Sequence, residues 1–189
     1  MRVSCFFSTI ILVLVVPLCT CDATVNSIVH LKINRMATPV SPSIVSDIGG
    51  FICSRLLINK NNYLHEFDVD HYVCLVEEKK HRDWKWVGEH PGKWLESAVL
   101  TAETFDDPVL RAKGKSILAR LIQAQEPSGY LGVTDPAMRT SNMPLRGMDA
   151  YELYFMLHGL LTAYELWNDE KALETAEKLG DYFVDTIGP

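Results

Sequence analysis

The chain has no basic stripe and no Lys/Arg cluster: 18 Lys and Arg stand against 24 Asp and Glu, for a net charge of −6. A protein that grips a phosphate backbone needs a positive footprint, so DNA and RNA are excluded as partners. Cysteine is scarce as well, with five in 189 residues. Beyond residue 21 only Cys53 and Cys74 remain. Neither sits in a CxxC pair or at zinc-ligand spacing from a histidine, so buried free thiols and no metal in this chain are expected. A disulfide between the two stays open on sequence grounds. No apolar run reaches the ~20 residues that cross a bilayer. Nor is there a disorder bias: 48% hydrophobic and 22% charged residues describe an ordinary globular domain, or part of one.

Residues 1–21 read as an export signal. Arg2 supplies the positive start, Phe6 to Val16 the apolar core, and Pro17 a break before Cys19, Thr20 and Cys21. The mature chain is expected to be secreted or periplasmic, with no membrane association after cleavage. The stretch Leu18-Cys19-Thr20-Cys21 loosely resembles a bacterial lipoprotein box, which makes anchoring at Cys21 the alternative. Residues 22–42, with Pro39 and Pro42, form an extended lead-in.

From residue 43 the pattern is all-α. Ile44, Val45, Ile48, Phe51, Ile52 and Leu56 recur at helical steps over 43–57. Gly49-Gly50 falls inside that stripe, where each glycine costs ~1 kcal/mol against Ala; a kink or a close-passing backbone would account for it. The polar residues 59–62 end this helix, and 63–92 reads mostly as loop around a short segment at 72–76. Four plainer helices follow, at 93–105, 107–125, 149–167 and from Asn168-Asp169 onward. Asp107-Pro108 is an N-cap with proline at the first helical position. The helix at 149–167 is apolar nearly all round and should be enclosed on most sides. Leu100-Thr101-Ala102, an acidic turn and a second helix are echoed by Leu161-Thr162-Ala163, Asn168-Asp169 and a second helix. Two hairpins thus repeat at roughly sixty residues, longer than TPR or HEAT units, which suits a toroid of paired helices with loops converging on a cleft.

Three polar-aromatic clusters lie at helix mouths: Trp84, Trp86, Glu89, His90, Lys93 and Trp94; the turn 125–132; and Tyr151, Glu152, Tyr154 and His158. Aromatic faces beside carboxylates and amides suit a sugar, whose ring has an apolar C–H face and a hydroxyl rim. Lys93, Trp94, Glu152, Tyr154 and His158 are the candidate substrate-binding residues. Trp94 also reads as a core anchor and His158 as a hydrogen-bonded core histidine. Glu152 is costly to bury unpaired. Glu89 and His90 are expected at the surface.

Taken in order, four segments resemble glycoside hydrolase family 127, the β-L-arabinofuranosidase-like enzymes. They are Gly50-Phe51 through Asn62-Tyr63-Leu64, Gly-Glu-His-x-Gly-Lys-Trp-Leu-Glu at 88–96, Gln-x-Pro-x-Gly-Tyr-Leu-Gly at 125–132, and Glu-Leu-Tyr-x-x-x-His at 152–158. The resemblance implies an (α/α)6 barrel, of which 43–189 is the N-terminal part, and release of L-arabinofuranose from glycans with retention of configuration. It also implies a zinc-held cysteine nucleophile with a glutamate and further cysteines, and a glutamate acid/base, downstream of the matched segments. No such cluster occurs in this sequence, so no catalytic residue is assigned to it and no cofactor is expected in this chain. Where relatives place His before Glu-Leu-Tyr, this chain has Tyr151. An N-terminal fragment, catalytically silent alone and poorly stable, is therefore the expectation. The rivals are another α/α-toroid sugar enzyme, an epimerase or lyase in which His and Tyr move protons, and a secreted helical-repeat module that binds carbohydrate or protein without chemistry.

Overall fold

The computed structural model describes residues 40–42, 48–82, 86–139 and 148–187. The expected signal, the lead-in before residue 40, the start of the helix expected at 43 and Trp84 lie outside them. Among the described residues there are six α-helices and no strand. They are α1 (Gly50–Ile58), α2 (Val69–Glu78), α3 (Glu89–Thr104), α4 (Pro108–Ala124), α5 (Asp149–Trp167) and α6 (Glu170–Ile187). A π-helical segment, Asn59–Leu64, extends α1, and a 3-10 turn, Pro136–Met138, lies between α4 and α5.

Helices α3 and α5 pack along each other, α4 covers α3, and α6 covers α5. Leu95, Ala98, Val99 and Ala102 of α3 meet Leu153, Met156, Leu160 and Ala163 of α5 in one core, all fully or almost fully buried. Two glycines let the pair approach closely. A Cβ at Gly92 would overlap the Phe155 carbonyl and the Met156 amide, and one at Gly159 would press on the Gly92 carbonyl at 2.8 Å. Here a side chain is excluded by neighbouring backbone.

The sixty-residue echo is a geometric repeat. In each hairpin the turn places one residue in the left-handed region, Asp106 at φ 45° and Asn168 at φ 52°. An aspartate caps the next helix. Asp107 Oδ1 accepts from the Val109 and Leu110 amides at 3.1 and 3.0 Å, and Asp169 Oδ1 from the Ala172 amide at 3.1 Å. Such caps satisfy amides that the helix itself leaves without partners. Asp107 does more: Lys60 Nζ at 3.0 Å and His65 Nε2 at 2.9 Å tie the π-helical segment to this turn. Burial works against its ionisation, but the Leu110 amide, His65 and Lys60 outweigh it and hold the carboxyl well below the usual range.

Three expectations are corrected. The glycine pair stands at the start of α1, with Gly49 extended and Gly50 at φ 67°, and nothing lies within 4 Å of a Cβ at either; the left-handed backbone, not a close neighbour, accounts for Gly50. Residues 63–92 are not mostly loop. Asp68 accepts from the His71 amide and starts α2, which buries Val69, Val73 and Val76; three valines among polar neighbours make a stripe too thin to read. Helix α5 is enclosed on most sides, as expected, with Tyr151, Tyr154 and Leu161 exposed along one side. The cysteines are free as expected but not buried: Cys74 is exposed and Cys53 half-buried.

Candidate functional site

The loop-to-helix motif at 88–96 divides its residues among three tasks. Gly88, Gly92 and Trp94 build the scaffold. Trp94 is 1% exposed, its indole donates to the Leu64 carbonyl at 3.1 Å, and the Lys113 ammonium sits 5.1 Å from its ring centre. It therefore anchors the core and offers no open face on which a sugar ring could stack. His90 turns to the other side of α3, half-buried against Tyr72, with ring centres 4.3 Å apart.

Glu89 and Lys93 face α5. Glu89 is not at the surface as expected but 5% exposed, and its Oε2 has no hydrogen-bond partner among the described residues. The Lys93 ammonium lies 3.9 Å from its Oε1, donates to the Tyr151 hydroxyl at 3.1 Å and sits 4.2 Å from the Phe155 ring centre. An ammonium over an aromatic face is held by the ring quadrupole. Tyr151 therefore supplies Lys93 with an acceptor. Trp86, 58% exposed, approaches the Tyr151 ring at 6.1 Å.

One turn further along α5, Tyr154 is 49% exposed and its ring centre lies 4.4 Å from that of His158. His158 Nδ1 is 3.5 Å from Glu96 Oε1 on α3. Lys93, Tyr154 and His158 thus share one accessible strip with Trp86, Tyr151, Phe155 and Glu96. Glu96 and Phe155 were not anticipated. Glu96 stands inside the 88–96 motif, but only the packing of α3 on α5 brings it to His158.

Glu152 lies behind the strip. It is 4% exposed, and its Oε1 accepts from the Val87 amide at 3.2 Å. Burial pushes its carboxyl from the usual 4.5 up to about 7; the Gly88 and Val87 amides pull the other way, and the charges of Glu89 and Asp149 add to the rise. Asp149, buried as well, accepts from the Thr134 hydroxyl at 2.7 Å.

The turn at 125–132 serves the fold. Gln125 Nε2 donates to the carbonyls of Gly129 and Thr175 at 3.0 and 2.8 Å, pinning the turn to α6. Tyr130 is buried, its hydroxyl accepts from the Thr134 amide at 3.1 Å, and the Arg139 guanidinium stacks 3.7 Å from its ring centre. Burial pushes the Tyr130 hydroxyl up, the Asp149 charge reinforces this, and its bonds with Thr134 oppose it. Through Thr134 and Asp149 the turn braces the head of α5.

Among the described residues no three His, Cys, Asp or Glu come together to hold a metal ion, so the zinc implied by resemblance finds no ligand set in them. Nor is any helix among them long and apolar enough to cross a membrane.

The family profile of the beta-L-arabinofuranosidase GH127 catalytic domain matches residues 20–189. The chain belongs to this family. Among solved structures it is similar to a GH127 beta-arabinofuranosidase, BT3674, at 18% identity and a TM-score of 0.58. The match covers 78% of this chain and 27% of that one, so the chain spans about a quarter of the length of the GH127 enzyme it resembles. No curated protein matches it. The paired hairpins α3–α4 and α5–α6 accordingly represent part of a GH127 (α/α)6 barrel.

Proposed function

We propose that this chain supplies one wall of the sugar-binding cleft of a β-L-arabinofuranosidase-like glycoside hydrolase acting on L-arabinose-containing glycans. The observation that carries the reading is the accessible strip on α3 and α5, where cationic, aromatic and imidazole groups from two separate motifs meet. Tyr154 offers a face to the apolar side of a furanose ring, while Lys93 and His158 offer an ammonium donor and an imidazole nitrogen to its hydroxyls. Trp94 and Glu152 support the strip from behind.

On this reading the chain contacts substrate and does not break the glycosidic bond by itself. The thiolate–carboxylate set implied by the family resemblance has no counterpart among the described residues, and no step is assigned to zinc here. Export is part of the proposal, supported by the charged, apolar and small-residue order of residues 1–21. The test is a pair of measurements on the 189-residue chain. Methyl β-L-arabinofuranoside should shift the NMR resonances of Tyr154 and His158, and nitrophenyl β-L-arabinofuranoside should not be hydrolysed. Shifts confined to other faces, or robust turnover, would refute it.

A further inference from the structure

We infer that Glu152 is a positioning residue, clamping the backbone at 86–88 to the head of α5 and so fixing the entry to α3 beside the sugar-contacting strip. The inference rests on the cleft reading above for its consequence, though not for its geometry. Three observations carry it. The Glu152 carboxylate is almost entirely withdrawn from solvent, so it cannot meet a sugar hydroxyl without moving. It already accepts from the Val87 amide at 3.2 Å. A Cβ at Gly88 would collide with its Oε2 and come within 2.8 Å of its Cδ, so residue 88 has no side chain because the carboxylate occupies that space.

The clamp links two motifs that sequence shows only as separate. The glycine of Gly-Glu-His-x-Gly-Lys-Trp and the glutamate of Glu-Leu-Tyr-x-x-x-His form one contact. What it holds in place is functional under the cleft reading: Trp86 is next but one to Gly88, Glu89 opens α3, and Lys93 follows one turn later.

Amide hydrogen exchange on the 189-residue chain tests this. Glu152→Ala should speed exchange at the Val87 amide by about tenfold, the order expected for losing one hydrogen bond, with amides in the middle of α4 unchanged. Glu152→Gln keeps an acceptor oxygen and should retain most of the protection. Gly88→Ala, at a backbone φ of −76° that alanine accepts, should displace the carboxylate and reproduce Glu152→Ala, and the double variant should exchange no faster than either single one. Unchanged Val87 exchange in Gly88→Ala and Glu152→Ala, or equal acceleration throughout α3, α4 and α5, overturns the clamp. If Glu152→Ala does not fold, Gly88→Ala and Glu152→Gln decide the matter. Titration with methyl β-L-arabinofuranoside separates the two readings. A wild-type chain that binds none while showing the exchange pattern sinks the cleft and leaves the clamp. A Glu152→Gln variant that loses binding with Val87 still protected makes Glu152 a direct contact and ends the positioning role.

Discussion

Helices α1 and α3 carry similar sequence signals and have opposite fates. Each shows apolar residues at helical steps and glycines near its start, yet α3 buries eight residues, Glu89 among them, and α1 buries none. Phe51 on α1 is 79% exposed and Trp94 on α3 is 1% exposed. Helix α3 is covered by α5 on one side and α4 on the other, whereas a groove of about 420 Å³ lined by Leu56, Ser97, Leu100 and Thr104 separates α1 from the open side of α3. Periodicity announces a face to be covered, and the burial energy goes only to the helix that finds a cover.

The largest test of this contrast is steric. Gly92→Val should abolish the folded state or cost more than the ~1–3 kcal/mol of ordinary overpacking, because the clash is with α5 backbone; cooperative thermal melting would show it. Gly49→Ala, with open space around its Cβ, should melt within a degree or two of wild type. Trp94→Ala should lose ~3–5 kcal/mol in denaturant unfolding, against less than ~0.5 kcal/mol for Phe51→Ala at an exposed site. An equal loss at Phe51 would mean that α1 is covered in solution.

Two carboxylates sharpen the comparison through pH. Glu152 has a folded-state value of about 7, above the ordinary 4.5, so the native state holds its proton more tightly than the unfolded chain does. Its contribution is therefore favourable at low pH and is lost as pH rises from 4.5 through 7. Relative to Glu152→Gln, wild-type stability should fall over that window by up to roughly 3 kcal/mol, and a flat difference would refute the burial argument. Asp107 has the opposite sign. Its value is depressed, so its stabilisation is present above the ordinary carboxylate range and is lost on acidification. Asp107→Ala should cost about 2 kcal/mol at neutral pH and little in strong acid, as urea unfolding at the two pH values would report.

The two hairpins were legible because their signals are local. Asp107-Pro108 and Asn168-Asp169 mark where chain and helix part, and α4 and α5 lie within a residue or two of their expected bounds. Helix α2 was missed because a cap and three valines are too little signal against tertiary context. At the site, Lys93, Tyr154 and His158 stand together on the accessible strip, whereas Trp94 and Glu152 stand behind it. Aromatic and acidic residue types at a helix mouth do not say which way the side chains point; that depends on which side of α3 meets α5.

Sequence alone determined the helical class, the capped hairpins and the four ordered segments that resemble the family, since periodicity, caps and motif spacing are written along the chain. Only the tertiary structure decided that Glu89 is buried, that Glu96 meets His158 and that Gly88 makes room for Glu152. Those contacts join residues about sixty positions apart, and they exist because two glycines let α3 and α5 pack close enough for their side chains to share one space.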